Sequence, residues 1–181
     1  MGLFLAQYEW HGYRVASLIP DLVIKLAPEP NWPLGRKGKA TIAAWETNRS
    51  ISPGGLLVMD NDVAADPDDL AAMLESVDER PGDVHTGLVK LWPASTGRPD
   101  WIWSHRGGQL GAPVAHQDES QPVTYFATGL TWLPTRLLQL SMIVLPGATF
   151  HEFDTTLSEV ALRHGIPAHV VRQCRPKHLH F

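Results

Sequence analysis

The run Leu56-Leu57-Val58-Met59-Asp60-Asn61-Asp62 carries the clearest chemical signal in the chain. Four apolar residues stop at two carboxylates separated by one amide. Negative charges crowded at the end of an apolar run repel one another and invite a cation. Oxygen donors with few protein ligands suit Mg²⁺ or Mn²⁺, with phosphate oxygens completing the shell. A cation so placed neutralises a diphosphate leaving group. The plainer alternative is a solvated turn with incidental acids, since a bare Asp-x-Asp is a weak motif.

Other stretches offer chemistry of their own. Arg36, Lys37 and Lys39, interleaved with Gly35 and Gly38, precede a predicted helix start. Helix N-termini and basic side chains both attract phosphate, so this loop suits a diphosphate or an anionic acceptor. A solvated basic loop is the competing reading. Glu152 and Asp154 flank Phe153 just before a helical pattern. Residues two apart in a helix do not share a face, so only one of these acids can point at a common target. Asp154 also suits the N-cap of a helix starting at Thr155. Arg98, Trp101, Trp103, His105 and Arg106 combine basic and aromatic groups, a mixture that suits base stacking with phosphate contact. The same cluster also suits a flap folded over a ligand.

The elements that must position these groups can be read from periodicity and breakers. Strands are predicted over residues 2–7 and 21–26, followed by a Pro- and Gly-rich basic loop over 28–38. A helix is predicted over 40–48, with Ile42 and Trp45 on one side. Leu56 to Met59 is a continuous apolar run, as expected of a strand buried on both faces. Asp66 then reads as an N-cap, Pro67 as the first helical residue, and Asp68 and Asp69 as acids in the positive first turn. Leu70, Met73, Leu74 and Val77 form that helix's apolar stripe. A strand is predicted over 84–91, a long loop or short hairpin over 93–121, and extended chain over 123–133. Helices over 135–142 and 152–164 follow, the second closed by Gly165. A last strand over 168–171 leads into a tail from Cys174 that contains His178 and His180. The alternation implies an α/β fold with a mainly parallel sheet, in which ligands bind at the carboxyl ends of strands.

Composition sets the bounds. The 181 residues suit one domain, and 44% hydrophobic with 19% charged residues is a globular balance. A net charge of −4 gives no overall nucleic-acid footprint, although a local patch remains compatible with it. The single cysteine, Cys174, permits no intrachain disulfide and fits a reducing compartment. No apolar run approaches the roughly 20 residues of a membrane span. The short apolar start lacks a basic leader, so a cytoplasmic protein is expected. Seven Trp and nine His are unusual, and several Trp sit beside Pro, in loops where a sugar or base can stack.

Taken in order, these segments resemble GT-A-fold glycosyltransferases of the small, family-2-like type found in bacteria and phage. Residues 56–63 followed by Asp66-Pro67-Asp68-Asp69-Leu70 resemble the metal-binding segment of that superfamily. Val84-His85-Thr86-Gly87-Leu88-Val89 resembles its next strand. Thr128-Gly129-Leu130-Thr131-Trp132-Leu133-Pro134-Thr135-Arg136 resembles its acceptor-side segment. Glu152-Phe153-Asp154, before a helix ending at Gly165, resembles the acidic segment that supplies a base in inverting members, although the family's two acids are usually adjacent. The resemblance implies a three-layer α/β/α domain over 1–181. Residues 1–92 would form the donor and metal half, and 93–181 the acceptor half with its tail. It implies a nucleotide-diphosphate sugar as donor, a UDP-sugar favoured, with Mn²⁺ or Mg²⁺ as cofactor. Asp60, Asn61 and Asp62 would meet the donor and metal, with Asp62 the direct ligand. His178 resembles the late His that completes the metal site, with His180 as competitor. Arg36, Lys37, Gly129 and Gln7 would contact the donor, Gln7 at its base. Asp154, or else Glu152, would take the acceptor's proton. Some phage members glycosylate hydroxymethylated DNA bases, so the acceptor is expected to be such DNA or a saccharide, and the location the host cytoplasm in the phage case. A nucleotidyltransferase is the alternative enzyme, but residues 7–14 lack the Gly-rich signature it needs. A nucleotide-sugar-binding module without turnover is the non-enzymatic alternative.

Overall fold

The structure is a computed structural model that describes residues 2–6, 23–26, 36–50, 52–60, 63–88, 104–105, 121–148 and 152–178. In chain order the elements are β1 (Gly2–Ala6), β2 (Val23–Leu26), α1 (Arg36–Asn48), β3 (Gly55–Met59), β4 (Val63–Ala64), α2 (Pro67–Glu79) and β5 (Val84–Gly87). They continue with β6 (Ser104–His105), β7 (Gln121–Pro122), β8 (Tyr125–Phe126), β9 (Leu130–Pro134), α3 (Thr135–Ser141), α4 (Phe153–Arg163), β10 (Ala168–Val171) and β11 (Lys177–His178). A 3₁₀ turn, Leu145–Gly147, lies between α3 and α4. Among the described residues no helix is long and apolar enough to cross a membrane.

Seven strands form one sheet in the order β2-β1-β3-β9-β5-β10-β7. The pairs β1–β2, β1–β3 and β5–β10 are parallel. The pairs β3–β9, β5–β9 and β10–β7 are antiparallel. The sheet is mixed but mainly parallel, as expected: β1, β2, β3, β5 and β10 run in one direction, and β9 and β7 run against them. β9 runs against its neighbours in the middle of the sheet. It follows β8 through the short link 127–129, and local hydrophobic pattern does not encode its direction.

β3 shows why the strand ends where it does. All five of its residues are buried. Burying a Leu or Val side chain is worth about 1.5–3 kcal/mol, whereas burying an unpaired carboxylate costs more than that. The strand accordingly stops at the first acid. Because side chains alternate across a strand, β3 feeds two cores. Leu56 and Val58 join Ile42, Trp45, Leu137, Leu138, Phe153 and Leu157, from α1, α3 and α4. Leu57 and Met59 join Leu70, Met73 and Val77 of α2, with Trp132 of β9.

α2 starts as its sequence demands. The Asp66 carboxylate accepts from the Asp68 and Asp69 amides at 3.0 and 2.9 Å, and Asp69 returns the bond to the Asp66 amide at 3.1 Å, a full capping box. α4 ends at Gly165, whose φ of 62° is the left-handed conformation glycine accepts without strain. α1 departs from expectation by starting at Arg36, so Arg36, Lys37, Gly38 and Lys39 are helical rather than loop. Gly38 is required there by packing, because a Cβ at that position would lie 2.0 Å from the Leu145 carbonyl oxygen. The tail also gains structure, since β11 pairs antiparallel with β4.

A candidate active site at the carboxyl edge of the sheet

The acidic step lies where β3 leaves the sheet. In the β3–β9 register Met59 faces Leu130. One residue further on, the Asp60 amide donates to the Gly129 carbonyl at 2.9 Å. The antiparallel course of β9 thus brings 128 and 129 beside 60, because the start of β9 and the end of β3 share one edge. The Asp60 carbonyl accepts from the Val63 amide at 3.1 Å.

Lys37 reaches this edge from the first turn of α1. Its ammonium donates to Asp60 Oδ1 at 2.5 Å and to Thr128 Oγ1 at 2.8 Å, and it stands 4.7 Å from the centre of the Phe153 ring. The Lys37 side chain is 12% exposed and that of Asp60 27%, so the pair is sheltered yet open on one side. A lysine in a helix's first turn opposes the helix dipole. The first turn of α1 contains no acid to offset it. Asp60 supplies the compensating charge from another element.

Thr128 is fully buried and links this pair to the second acid. Its hydroxyl donates to Asp154 Oδ1 at 2.5 Å. The preceding carbonyl, that of Ala127, accepts from the Thr86 hydroxyl at 2.8 Å and the Thr131 hydroxyl at 2.7 Å. Two neighbouring strands therefore hold the bend that aims Thr128. Asp154 sits in the first turn of α4, where the helix dipole favours an acid.

The N-cap position belongs to Glu152 and not to Asp154, which removes the capping role weighed for Asp154. Glu152 makes no side-chain cap bond and is exposed. The two acids diverge as their spacing requires: Asp154 turns to Thr128 while Glu152 stays at the surface.

Lys37, Asp60, Gly129 and Asp154 are thus drawn together from four distant stretches of chain. Thr128 completes the set, and no local motif singles it out. Its only sequence signal is its place directly before Gly129. The His178 backbone pairs with Val63, the residue that follows Asp62 in the chain, so β11 delivers position 178 to the acidic turn. Arg36 is placed in the first turn of α1 by its backbone. Gln7, Asn61, Asp62, His180 and the side chains of Arg36 and His178 lie outside the described residues, as does most of the 98–106 cluster. Among the described residues no group of three or more His, Cys, Asp or Glu gathers into a metal cage.

Fold and site together define an α/β protein with two acids, Asp60 and Asp154, linked through Lys37 and Thr128 at the carboxyl edge of its sheet. No family model matches the chain, and no curated protein matches it. Among solved structures, A197 from STIV is similar, with a TM-score of 0.54 over 96% of this chain and 83% of that one, at 14% identity. At that identity the likeness extends to the fold alone.

Proposed function

We propose that this protein is a metal-dependent glycosyltransferase of GT-A type, moving a sugar from a nucleotide-diphosphate sugar to an acceptor hydroxyl. The observation that carries the reading is the single hydrogen-bonded unit formed by Asp60, Lys37, Thr128 and Asp154. It joins a donor-side acid to an acceptor-side acid at the sheet edge where ligands of open α/β sheets bind. The cores on both faces of β3 support a three-layer arrangement.

The donor set fits a hard divalent cation. Asp60 brings a carboxylate that is partly open to solvent. Asp62 and His178 are the further ligands by sequence and by the β4–β11 pairing. When bound there, Mn²⁺ or Mg²⁺ supplies charge neutralisation to a departing diphosphate. The chain's own groups do the rest. Lys37, with Arg36 at the start of α1, offers positive charge and helix-end amides to phosphate. Asp154 accepts the acceptor hydroxyl's proton as that oxygen attacks the sugar carbon in line. The acceptor is hydroxymethylated DNA or a saccharide.

Two measurements test the reading. A panel of nucleotide sugars with Mn²⁺, followed by thermal shift, is expected to give at least one donor that raises the melting temperature, with UDP-sugars first. Asp62→Ala is expected to abolish metal-dependent transfer or donor hydrolysis, and full activity in that variant sinks the metal assignment. Donor binding without product for any acceptor points instead to a binding module.

A further inference from the structure

The hydrogen-bond directions inside the site are fixed by what each group can donate. An ammonium has three donors and no acceptor, so Lys37 gives a proton to Thr128 Oγ1 at 2.8 Å. A threonine hydroxyl has one proton, and that proton is left for Asp154 Oδ1 at 2.5 Å. The chain therefore runs one way, from ammonium to hydroxyl to carboxylate. A hydroxyl that accepts from a cation becomes a stronger donor, because successive hydrogen bonds polarise one another. Its bond pins Oδ1, and Oδ2 has no partner among the described residues. At its other end the same ammonium bonds Asp60 Oδ1.

We propose that Thr128 is a positioning residue that orients Asp154 and, through Lys37, makes that orientation depend on the state of Asp60. This rests on the glycosyltransferase reading for its purpose but not for its existence. In the resting protein Lys37 bonds both Asp60 and Thr128. A donor that engages Asp60 changes that bonding, and Thr128 passes the change to Asp154. Oδ2 is then presented to the acceptor hydroxyl once the donor is in place, which guards against premature turnover. The threonines at 86 and 131 hold the Ala127 carbonyl and keep the Thr128 hydroxyl in line.

The test uses the full chain and two readouts. In the first, the Asp154 carboxyl carbon is followed by NMR at one fixed pH. Asp60→Asn and Lys37→Met are each expected to move that signal, and neither to move it further in a Thr128→Val background. An Asp154 signal indifferent to Asp60→Asn and Lys37→Met overturns the relay, with or without any enzyme activity. In the second readout, Thr128→Val, which keeps the shape and removes the hydroxyl, is expected to lower kcat by ~10- to 100-fold at unchanged donor KM. Thr128→Ser, which restores a hydroxyl, is expected to recover most of that loss. A Thr128→Val protein with wild-type kcat overturns the positioning role, as does a Ser variant no better than Val. If Val does not fold, Asp60→Asn and Lys37→Met still carry the first readout, and an Asp154 signal indifferent to both overturns the relay. Coupled NMR shifts in a protein that binds no nucleotide sugar retain the relay and discard the glycosyltransferase reading.

Discussion

Two helices of 13 residues each, α1 and α2, serve opposite faces of β3 and begin with opposite chemistry. α2 opens on a capping box with acids in its first turn, in harmony with its own dipole. Two acids at this start, Asp66 and Asp69, accept from backbone amides. Asp69, 6% exposed, accepts from the amides of Asp66 and Arg175. Burial pushes the Asp69 carboxyl up, while those two amides pull it down. α1 opens on basic residues against its dipole. It is reconciled by Asp60, which bonds the Lys37 side chain from another element. Acids tied to backbone amides fix a helix start, whereas Asp60 and Asp154 are tied to side chains that reach them from other elements.

The comparison breaks most visibly at Asp154. Asp154→Asn keeps an oxygen to accept the Thr128 hydroxyl but removes the base. Transfer is expected to fall by ~10²- to 10⁴-fold, the usual worth of a general base, with the melting temperature nearly unchanged. A variant that retains most of its kcat removes Asp154 from the chemistry and shifts attention to Glu152.

The next effect belongs to α2 and has the opposite character. Asp69→Ala leaves the Asp66 and Arg175 amides without their acceptor in a buried setting, which costs about 1–3 kcal/mol. Urea denaturation is expected to show that loss, with kcat per folded molecule held. Loss of kcat beyond the unfolded fraction means the cap also shapes the site, and the contrast between the two helices fails.

Much of this contrast was legible in the sequence, and the failures have physical causes. Asp66-Pro67-Asp68-Asp69 announced α2, because capping is a local transaction among neighbours. Leu56 to Met59 announced β3, because burial on both faces leaves an unbroken apolar run. The start of α1 at Arg36 departs from the sequence pattern, in which Gly35 and Gly38 look like a loop. Gly38 answers instead to the Leu145 carbonyl, a contact 107 residues along the chain that no local spacing reveals. Thr128 carries no local signal beyond its place before Gly129. It acquires a role only when β9 runs backward beside β3, and strand direction is not written in periodicity. The two-residue β11 was too short to read, although the late His it contains was noted for the acidic turn.

The smallest expected effect tests the far end of α2. His85 is fully buried, and its Nε2 lies 2.8 Å from the Arg80 carbonyl, where α2 ends. A carbonyl only accepts, so Nε2 carries the proton and Nδ1 accepts from the Ser76 hydroxyl at 2.8 Å. The neutral ring is thereby satisfied at both nitrogens. Its neighbours are the His169 ring, 5.8 Å away, and Asp83, which His169 bonds at 2.8 Å. Burial holds His85 below the ordinary value of 6.5. The unfolded chain therefore takes up this proton at higher pH than the folded one. Stability from His85 is whole above 6.5 and falls as pH drops beneath it, by at most about 1.4 kcal/mol per pH unit, until the folded form protonates. Urea midpoints measured at two pH values, one either side of that window, are expected to differ more for the wild type than for His85→Gln. Equal differences mean that His85 does not anchor α2 as a neutral ring, and that α2 is fixed by its capping box alone.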